Sequence, residues 1–298
     1  CKNGVYYYYE VNKIVLSSLA VISFSSFSYA QDSAINSFLV KDDLATPKVD
    51  ATFWKKAKVY NIGLMAQPIT KPRPKTTITS GIKVQSVYNK EWISFKLTWK
   101  DSEKSEGQIV NTFSDGVAMQ FPTKIVKGNP PSAFMGELGN PVHIFHWKAA
   151  FQLDKDKGFH TMKDIYPNAS IDMYPLEPKI EGNYPKATEE QKMAFVHAQA
   201  AGNPQAFPKV KGMDEIFAEG FGTSQVIDNH EAIATGSWKN GEWSVVISRP
   251  LKSKVGSKLE IGKPNFMAFA VWQGGKNAVG ARKDLTLAWI PLNISGKN

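Results

Sequence analysis

The chain has 298 residues, of which 36 are Lys or Arg and 27 are Asp or Glu, so its formal net charge at pH 7 is +9. The basic residues form no long run, which argues against nucleic acid as a partner and suits an acidic protein partner better. The single cysteine, Cys1, precedes a predicted export signal, so we expect a mature protein without disulfides, iron–sulfur clusters, thiolate metal sites or covalently attached haem.

Residues 1–30 have the pattern of a removable export signal. Lys13 gives a positive start, residues 14–24 are apolar and diluted by serines, and residues 28–30 resemble a small-x-small cleavage site. The apolar run is shorter than the ~20 residues that span a bilayer, so we expect no transmembrane anchor. The pattern predicts export to the periplasm or an equivalent extracytoplasmic compartment.

Residues 1–10 do not fit the start of a signal. Val11 suits a natural start better, so we interpret residues 1–10 as upstream sequence. We therefore expect the mature protein to be a single domain that spans residues 31–298.

The region up to about residue 80 predicts loops and short strands. Residues 66–77 are rich in proline and basic residues, which predicts an extended and exposed stretch. Residues 84–101 alternate apolar and polar side chains around Asn89-Lys90, which predicts a β-hairpin. A further strand is predicted at residues 116–122 (GVAMQFP), after the turn residues 114–115.

The segment FMGELGNPVHIFHWKAAF, residues 134–151, joins a Gly/Pro-punctuated loop to a strand that is apolar on both faces. Within it, His143 and His146 are three residues apart, a spacing that invites interpretation as a metal site. Residues i and i+3 of a strand point to opposite faces, so these histidines are not expected to share a metal ion. We expect satisfied core histidines, one of which can line a cofactor pocket.

Residues 154–221 are rich in Pro, Gly, Lys and Asp, which predicts a long irregular insertion over the surface of the domain. A short helix is predicted within it, because residues 188–191 (TEEQ) form a capping box and Gly202 and Pro204 end the helical pattern. No Ser/His/Asp order, glycine-rich phosphate loop or paired-carboxylate signature is apparent in the sequence, so no hydrolytic active site is predicted.

The last third of the chain returns to strands. Residues 232–251 predict a second hairpin around Asn240-Gly241. Further strands are predicted at residues 258–262, 265–273 and 284–292. Short strands at regular spacing with Gly/Asn turns predict a mostly all-β fold, an antiparallel β-sandwich, and the eight tryptophans lie mostly in its strands as core or pocket lining.

Five ordered motifs connect these strands to a known family. They are WKD at 99–101, DGVAMQFP at 115–122, FMG…NPVHIFHWKA at 134–149, GSWKNGEWSVVISRPL at 236–251 and FAVWQGG…RKDLTLAW at 269–289. Together they resemble the haem b-binding γ subunits of the type II dimethyl sulfoxide reductase family. Ethylbenzene and dimethylsulfide dehydrogenases, selenate and chlorate reductases and nitrite oxidoreductase have such subunits. The resemblance covers most of the chain from about residue 84 onward.

The resemblance implies a β-sandwich that encloses one non-covalent haem b with a methionine and a lysine as axial iron ligands. Carried onto this sequence, the methionine of the FMG loop falls on Met135 and the lysine before the final strand falls on Lys283. Met119 is the alternative for the first ligand. Lys276 is the alternative for the second, because residues 274–283 are the hardest part to place in register.

From residue types alone, a lone loop methionine is ordinarily gap-filling core and a lysine at the start of a strand is ordinarily surface. The ligand roles therefore come from the resemblance. His146, Trp147 and Trp272 are further expected to bind the cofactor as walls of its pocket.

The resemblance also implies an electron-transfer subunit that is not an enzyme by itself. In such complexes a molybdenum α subunit carries out the chemistry. The haem exchanges electrons between an iron–sulfur β subunit and an external carrier such as a soluble cytochrome c. The sequence leaves open the substrate, among nitrite, nitrate, chlorate, selenate and hydrocarbons, and the direction of electron flow. General likeness favours the nitrite oxidoreductase or nitrate reductase type.

Two alternatives stay open at this point. The chain could be a carbohydrate-binding β-sandwich module without haem, which predicts a planar row of exposed aromatic side chains. It could also be a structural or assembly subunit that has lost its haem. The haem interpretation instead places Trp147 and Trp272 near a buried pocket.

Overall fold

The computed structural model describes residues 33–107, 109–158, 165–168, 198, 201–228 and 230–295. The predicted export signal and the predicted start of the helix at residues 188–191 lie outside these ranges.

Strands dominate the described part of the chain. They are β1 (Ile35–Asn36), β2 (Phe38–Leu39), β3 (Tyr60–Gly63), β4 (Met65–Ala66), β5 (Gly81–Tyr88), β6 (Trp92–Lys100), β7 (Gly116–Pro122), β8 (Val142–Lys148), β9 (Met213–Ala218), β10 (Gln225–Val226), β11 (Ile233–Lys239), β12 (Glu242–Pro250), β13 (Asn265–Trp272), β14 (Asp284–Leu285) and β15 (Ile290–Asn293). The helix α1 spans Ala149–Lys157, and short 3₁₀ turns span Thr52–Lys55, Pro204–Ala206 and Gly274–Lys276.

Two sheets form a sandwich, which confirms the predicted fold class. The larger sheet has the order β1-β15-β13-β7-β8-β9-β10, with β14 paired to β13 and β4 paired to β14. The smaller sheet has the order β11-β12-β6-β5-β2, with β3 paired to β5. Both predicted hairpins are present as the antiparallel pairs β5–β6 and β11–β12. The pairs β1–β15 and β2–β5 are parallel.

The main core lies between the sheets and follows from the two-residue period of the strands. Ile93, Phe95, Leu97 and Trp99 of β6 all point into it, as their alternation with polar residues predicts. Three tryptophans meet at one end of this core: Trp147 from the larger sheet packs edge-on against Trp243 at 4.9 Å between ring centroids, and Trp243 stacks on Trp99 at 6.2 Å. Edge-to-face and offset rings at these distances stabilise a core beyond simple burial.

Two predicted strands near the C-terminus differ from the structure. Residues 258–262 form only an isolated bridge, because the Asn265 side chain bonds the backbone of Glu260 and Lys263 and holds a turn there. Residues 284–292 are split into β14 and β15. Between them, Thr286 exchanges hydrogen bonds with the backbone of Phe269, and the next two residues are exposed and unpaired with β13.

The predicted insertion at residues 154–221 overlaps regular structure at both ends. Helix α1 begins at Ala149 directly after β8 and continues to Lys157. Strand β9 pairs with β8 from Met213 to Ala218 and extends the larger sheet. These two described segments therefore belong to the sandwich. Among the described residues, no helix combines the length and apolar character needed to cross a membrane.

Candidate cofactor-binding site

A pocket of about 350 Å³ lies on the face of the larger sheet that points away from the smaller sheet. This volume is within the range of small-molecule and cofactor sites, about 300–1,000 Å³. Its floor consists of outward-pointing residues of the central strands: Ala118 and Gln120 of β7, Ile144 and His146 of β8, Ile216 of β9, and Ala268 and Ala270 of β13. The three alanines are neighbours across β7 and β13, so the middle of the floor is free of large side chains.

Met135 and Lys283 meet over this floor. The Lys283 Nζ donates to the Met135 Sδ at 3.8 Å, although the two residues are 148 positions apart in the sequence. Both line the pocket, and both are partly buried. The structure therefore brings together the two residues that the family resemblance selects.

The loop that carries Met135 has an uncommon backbone. Met135 has a φ of 67° and Gly136 a φ of 79°, so two successive residues are left-handed. This region costs a non-glycine residue about 1–3 kcal/mol and is found mainly where surrounding structure enforces it. Two of the backbone bonds that hold the loop flank Met135: Gly136 N–H donates to the Ser132 carbonyl at 3.0 Å, and Gly220 N–H donates to the Met135 carbonyl at 2.8 Å.

Hydrogen bonds to the backbone of Lys283 and to the side chain of Asp284 position Lys283 at the start of β14. Its carbonyl accepts from the Gln67 N–H at 3.0 Å. The carboxylate of the next residue, buried Asp284, accepts from the backbone N–H groups of Ile78 and Thr79 at 3.0 and 2.6 Å. The Lys283 Nζ also lies 5.1 Å from the centroid of the Trp272 ring. The backbone of Lys283 is thus anchored, and its amine is directed into the pocket.

Burial lowers the pKa of Lys283 from 10.5 to about 8. The neutral amine, which is the form that can coordinate a metal ion, is therefore much easier to reach here than in a solvated lysine.

His146 and Trp272 form one wall of the pocket, with ring centroids 4.8 Å apart and planes tilted by 32°. The Trp272 Nε1 donates to the Gly280 carbonyl at 3.0 Å, which fixes the indole. Burial, and then the charges of Lys148 and Lys283, hold the pKa of His146 well below its ordinary value of 6.5. His146 is therefore a neutral side chain at physiological pH.

Trp147, Met119 and Lys276 are placed elsewhere. Trp147 follows His146 in β8 and so points to the opposite face, where it is fully buried between the sheets. The Met119 side chain belongs to the same inter-sheet core, although its backbone borders the pocket floor. Lys276 is exposed on the 3₁₀ turn after β13. The structure thus brings His146 and Trp272 to the pocket together with Met135 and Lys283.

His143 is a satisfied core histidine, as the strand alternation predicts. It is fully buried on the inner face of β8, and its Nε2 pairs with the Glu215 carboxylate at 2.8 Å. Its Nδ1 lies 3.1 Å from the Ser257 hydroxyl. Within the described ranges no group of three or more His, Cys, Asp or Glu side chains is arranged to hold a metal ion.

Several pocket residues carry no sequence signal that would have identified them. Gln67 and Thr70 come from the proline-rich loop, and the Gln67 side chain caps that loop by accepting from the N–H groups of Ile69 and Thr70. Gln120 donates to the Ala133 carbonyl and ties the floor to the methionine loop. The sequence does carry a signal for the pocket floor, because alanines alternate with large apolar residues along β7 and β13. That signal can be interpreted only when the outer face of these strands is known.

One protein family and two individual proteins match most of this sequence. The sequence profile of the family described as "Ethylbenzene dehydrogenase" matches residues 51–284. The chain is 24% identical over 257 residues to the chlorate reductase subunit gamma of Ideonella dechloratans, which covers 85% of this chain and 80% of that protein. It is 20% identical over 260 residues to a protein of Haloferax mediterranei named "Putative respiratory nitrate reductase heme subunit ORF7", covering 86% of this chain and 71% of that protein.

Among solved structures, a carbohydrate-binding module of family 9 from Caldicellulosiruptor kristjanssonii in complex with glucose matches with a TM-score of 0.38 and 8% identity, over 89% of this chain and 97% of that one.

Proposed function

The chain belongs to the ethylbenzene dehydrogenase family, and from this premise we propose that it binds one non-covalent haem b between Met135 and Lys283 and serves as an electron-transfer subunit. The observation that carries the proposal is the 3.8 Å approach of the Lys283 amine to the Met135 thioether inside an apolar pocket.

The donor pair fits a metal ion held between the two side chains. Met135 and Lys283 would hold the iron of a bound haem. Their donor atoms are 3.8 Å apart, so the two side chains would have to separate to admit it. A thioether and a neutral amine are both uncharged donors that could hold a haem iron in a domain without thiolates.

The residues determine what the bound group can do. Haem supplies reversible one-electron exchange, and a thioether ligand favours the ferrous state and raises the reduction potential. Lys283 coordinates only after it has lost its proton, and the lowered pKa reduces the cost of that loss. Met135 and Lys283 together would occupy the iron and exclude a substrate from it, so the proposed role is electron transfer and not catalysis.

The proposed partners are subunits of the same complex, an iron–sulfur β subunit and a molybdenum α subunit, with a soluble cytochrome c as external carrier. The names of the two relatives, a reductase gamma subunit and a reductase haem subunit, support this division of labour. The extracytoplasmic location is proposed from the export-signal pattern of residues 1–30. The nitrite or nitrate type of complex is proposed as its setting.

The tryptophans do not favour the carbohydrate-binding alternative. That function requires exposed aromatic rings in a planar row, and all eight tryptophans lie within the described ranges. Five are buried and the other three, Trp92, Trp238 and Trp289, are partly buried. None is fully exposed.

The visible spectrum of the purified protein tests the proposal. We expect a low-spin haem b that acid-acetone extracts, or its formation when haemin is added to the colourless protein. A protein that stays colourless with haemin contradicts haem binding.

Four variants then test the ligands. Met135→Leu and Lys283→Met should each abolish the low-spin spectrum, whereas Met119→Leu and Lys276→Met should retain it. Loss of the low-spin spectrum in Met119→Leu with retention in Met135→Leu would transfer the sulfur ligand to Met119. Loss of the low-spin spectrum in Lys276→Met with retention in Lys283→Met would transfer the nitrogen ligand to Lys276.

A further inference from the structure

A second, smaller cavity opens beside the main pocket. It measures about 150 Å³ and shares His146, Trp272 and Gly280 with the main pocket. Lys148, two residues beyond His146 on the same face of β8, lines its far side. The two cavities are therefore neighbours separated only by side chains that both of them contact.

Gly116 keeps this side cavity open. A Cβ atom at position 116 would lie 3.5 Å from the His146 Nε2 and 3.6 Å from the Lys148 Cγ. Any larger side chain would occupy the space between the imidazole and the lysine. The absence of a side chain at this one position of β7 thus leaves a niche, bordered by His146 and Lys148, at the edge of the apolar pocket.

The charges around the niche are unbalanced. The buried carboxylate of Asp214 pairs with Lys209 at 2.8 Å. The Lys148 side chain makes no ion pair or hydrogen bond within the described part of the chain, and its Nζ lies 5.0 Å from the Phe151 ring centroid. Burial lowers the pKa of Lys148. The carboxylate of Asp214 opposes this effect, and the ammonium group of Lys209 adds to it more weakly. A partly buried cation with an incomplete counter-charge is a binding position for an anion.

Few cations line the two cavities. Among the residues that line the two cavities, Lys283 and Lys148 are the charged ones, and neither cavity is lined by Asp or Glu. In the proposed function the Lys283 amine is neutral when it binds iron. Lys148 is then the remaining positive charge at the walls, and haem b carries two carboxylate side chains that are ionised at neutral pH.

We propose that the niche between Gly116, His146 and Lys148 receives a carboxylate side chain of the cofactor and fixes the orientation of the macrocycle in the pocket. This inference rests on the proposed function, since it concerns the same cofactor. It assigns Lys148 as a positioning residue that does not touch the iron, with the neutral His146 ring as a hydrogen-bonding wall.

Esterified haem separates the roles of the iron and of the carboxylates. The dissociation constants of haemin and of haemin dimethyl ester are measured by titration of the apoprotein, with the low-spin spectrum as the readout of iron ligation. We expect the protein to bind haemin about tenfold or more tighter than the ester, because a charge-assisted contact in a partly buried site is worth about one factor of ten or more. Equal affinities in the unaltered protein would overturn the inference.

Variants then locate the contact. Lys148→Met should weaken haemin binding about tenfold, leave ester binding unchanged and keep the low-spin spectrum, whereas Lys148→Arg should retain most of the preference for haemin. The matched control is Lys90→Met, which removes an exposed lysine at the β5–β6 turn on the other sheet and should change neither affinity.

Lys71 and Arg73 on the exposed loop beside Thr70 are the competing cations. If the double variant Lys71→Met, Arg73→Met loses the preference for haemin while Lys148→Met keeps it, the carboxylates face the loop and the inference is wrong. Failure of the unaltered protein to bind both haemin and its ester would instead refute haem binding itself, so the two proposals fail in different ways.

Discussion

The glycine after Met135 offers the sharpest test of how the methionine loop is held. Gly136 has a φ of 79°, and a Cβ there would lie 2.7 Å from the Ala218 carbonyl oxygen and 3.1 Å from the Val142 nitrogen. Both neighbours are backbone atoms of strands β9 and β8, so neither can rotate away. Substitution Gly136→Ala must therefore displace the loop itself, and Met135 moves with it.

The magnitude follows from two separable costs. A left-handed φ costs an L-residue roughly 1–2 kcal/mol, and forcing an extra methyl group into a packed site costs about 1–3 kcal/mol more. Gly139, three residues later in the same loop, has a φ of 76° with nothing within 4 Å of a Cβ atom. Gly139→Ala is thus a matched control that bears only the first cost.

The assay is urea unfolding of both variants followed by haemin titration. Gly136→Ala should lower the free energy of unfolding by about 2–5 kcal/mol and should bind haemin with a diminished low-spin spectrum. Gly139→Ala should lose about 1–2 kcal/mol and keep the spectrum of the unaltered protein. If the two variants agree within about 0.5 kcal/mol and both give full low-spin spectra, the backbone contact does not position Met135.

Three further outcomes follow from buried charges. Haemin affinity should rise about tenfold per pH unit up to the Lys283 pKa of about 8 and then level off, because the ligand amine must lose a proton. A flat profile would contradict this, and a Lys283 pKa at the ordinary lysine value of 10.5 would give a rise that continues to higher pH. Burial, and then the charge of neighbouring Asp115, raise the pKa of buried Asp101 to about 7, so its contribution to stability is fully present below about pH 4 and is lost as the pH rises through 7. The urea midpoint of the unaltered protein should therefore fall between pH 4 and 8, and that of Asp101→Asn should lack this fall. Glu215→Gln should lower the free energy of unfolding by about 3–5 kcal/mol, because it breaks the buried pair with His143 and removes one of the two carboxylates, with that of Glu231, that offset the fully buried Arg249 guanidinium. A loss below about 1 kcal/mol would show that the buried charge is compensated otherwise.

The sandwich could be predicted from sequence because its strands are governed by local rules. The alternation of Ile93, Phe95 and Leu97 with polar residues identifies one buried face, and Asn240-Gly241 identifies a tight turn. The strand expected at residues 258–262 is missing because a side chain distant by a few residues, Asn265, stabilises a turn there. A hydrogen bond of this kind leaves no trace in the apolar pattern.

The candidate site depends on long-range register, which the residue pattern does not contain. A loop methionine and a lysine at a strand start are ordinary features until β14 pairs with β13 and the Met135 loop docks on the end of β9. The expectation for Trp147 shows the limit in another way. If His146 lines the pocket, strand alternation turns Trp147 to the opposite face, and its place is in the inter-sheet core. The role of Met135 and Lys283 as ligands stays a prediction.

The position of the pocket makes that prediction testable without confusing binding with folding. The cluster around Ala118, Ala270 and Trp272 lies on the outer face of the larger sheet, whereas the three packed tryptophans that join the sheets lie on the inner face. Substituting Met135 or Lys283 therefore removes partly buried side chains outside the main core, where the loss of packing is smaller than for a fully buried residue. Loss of the low-spin spectrum with retained stability would consequently report on ligation. It would not report on collapse of the sandwich.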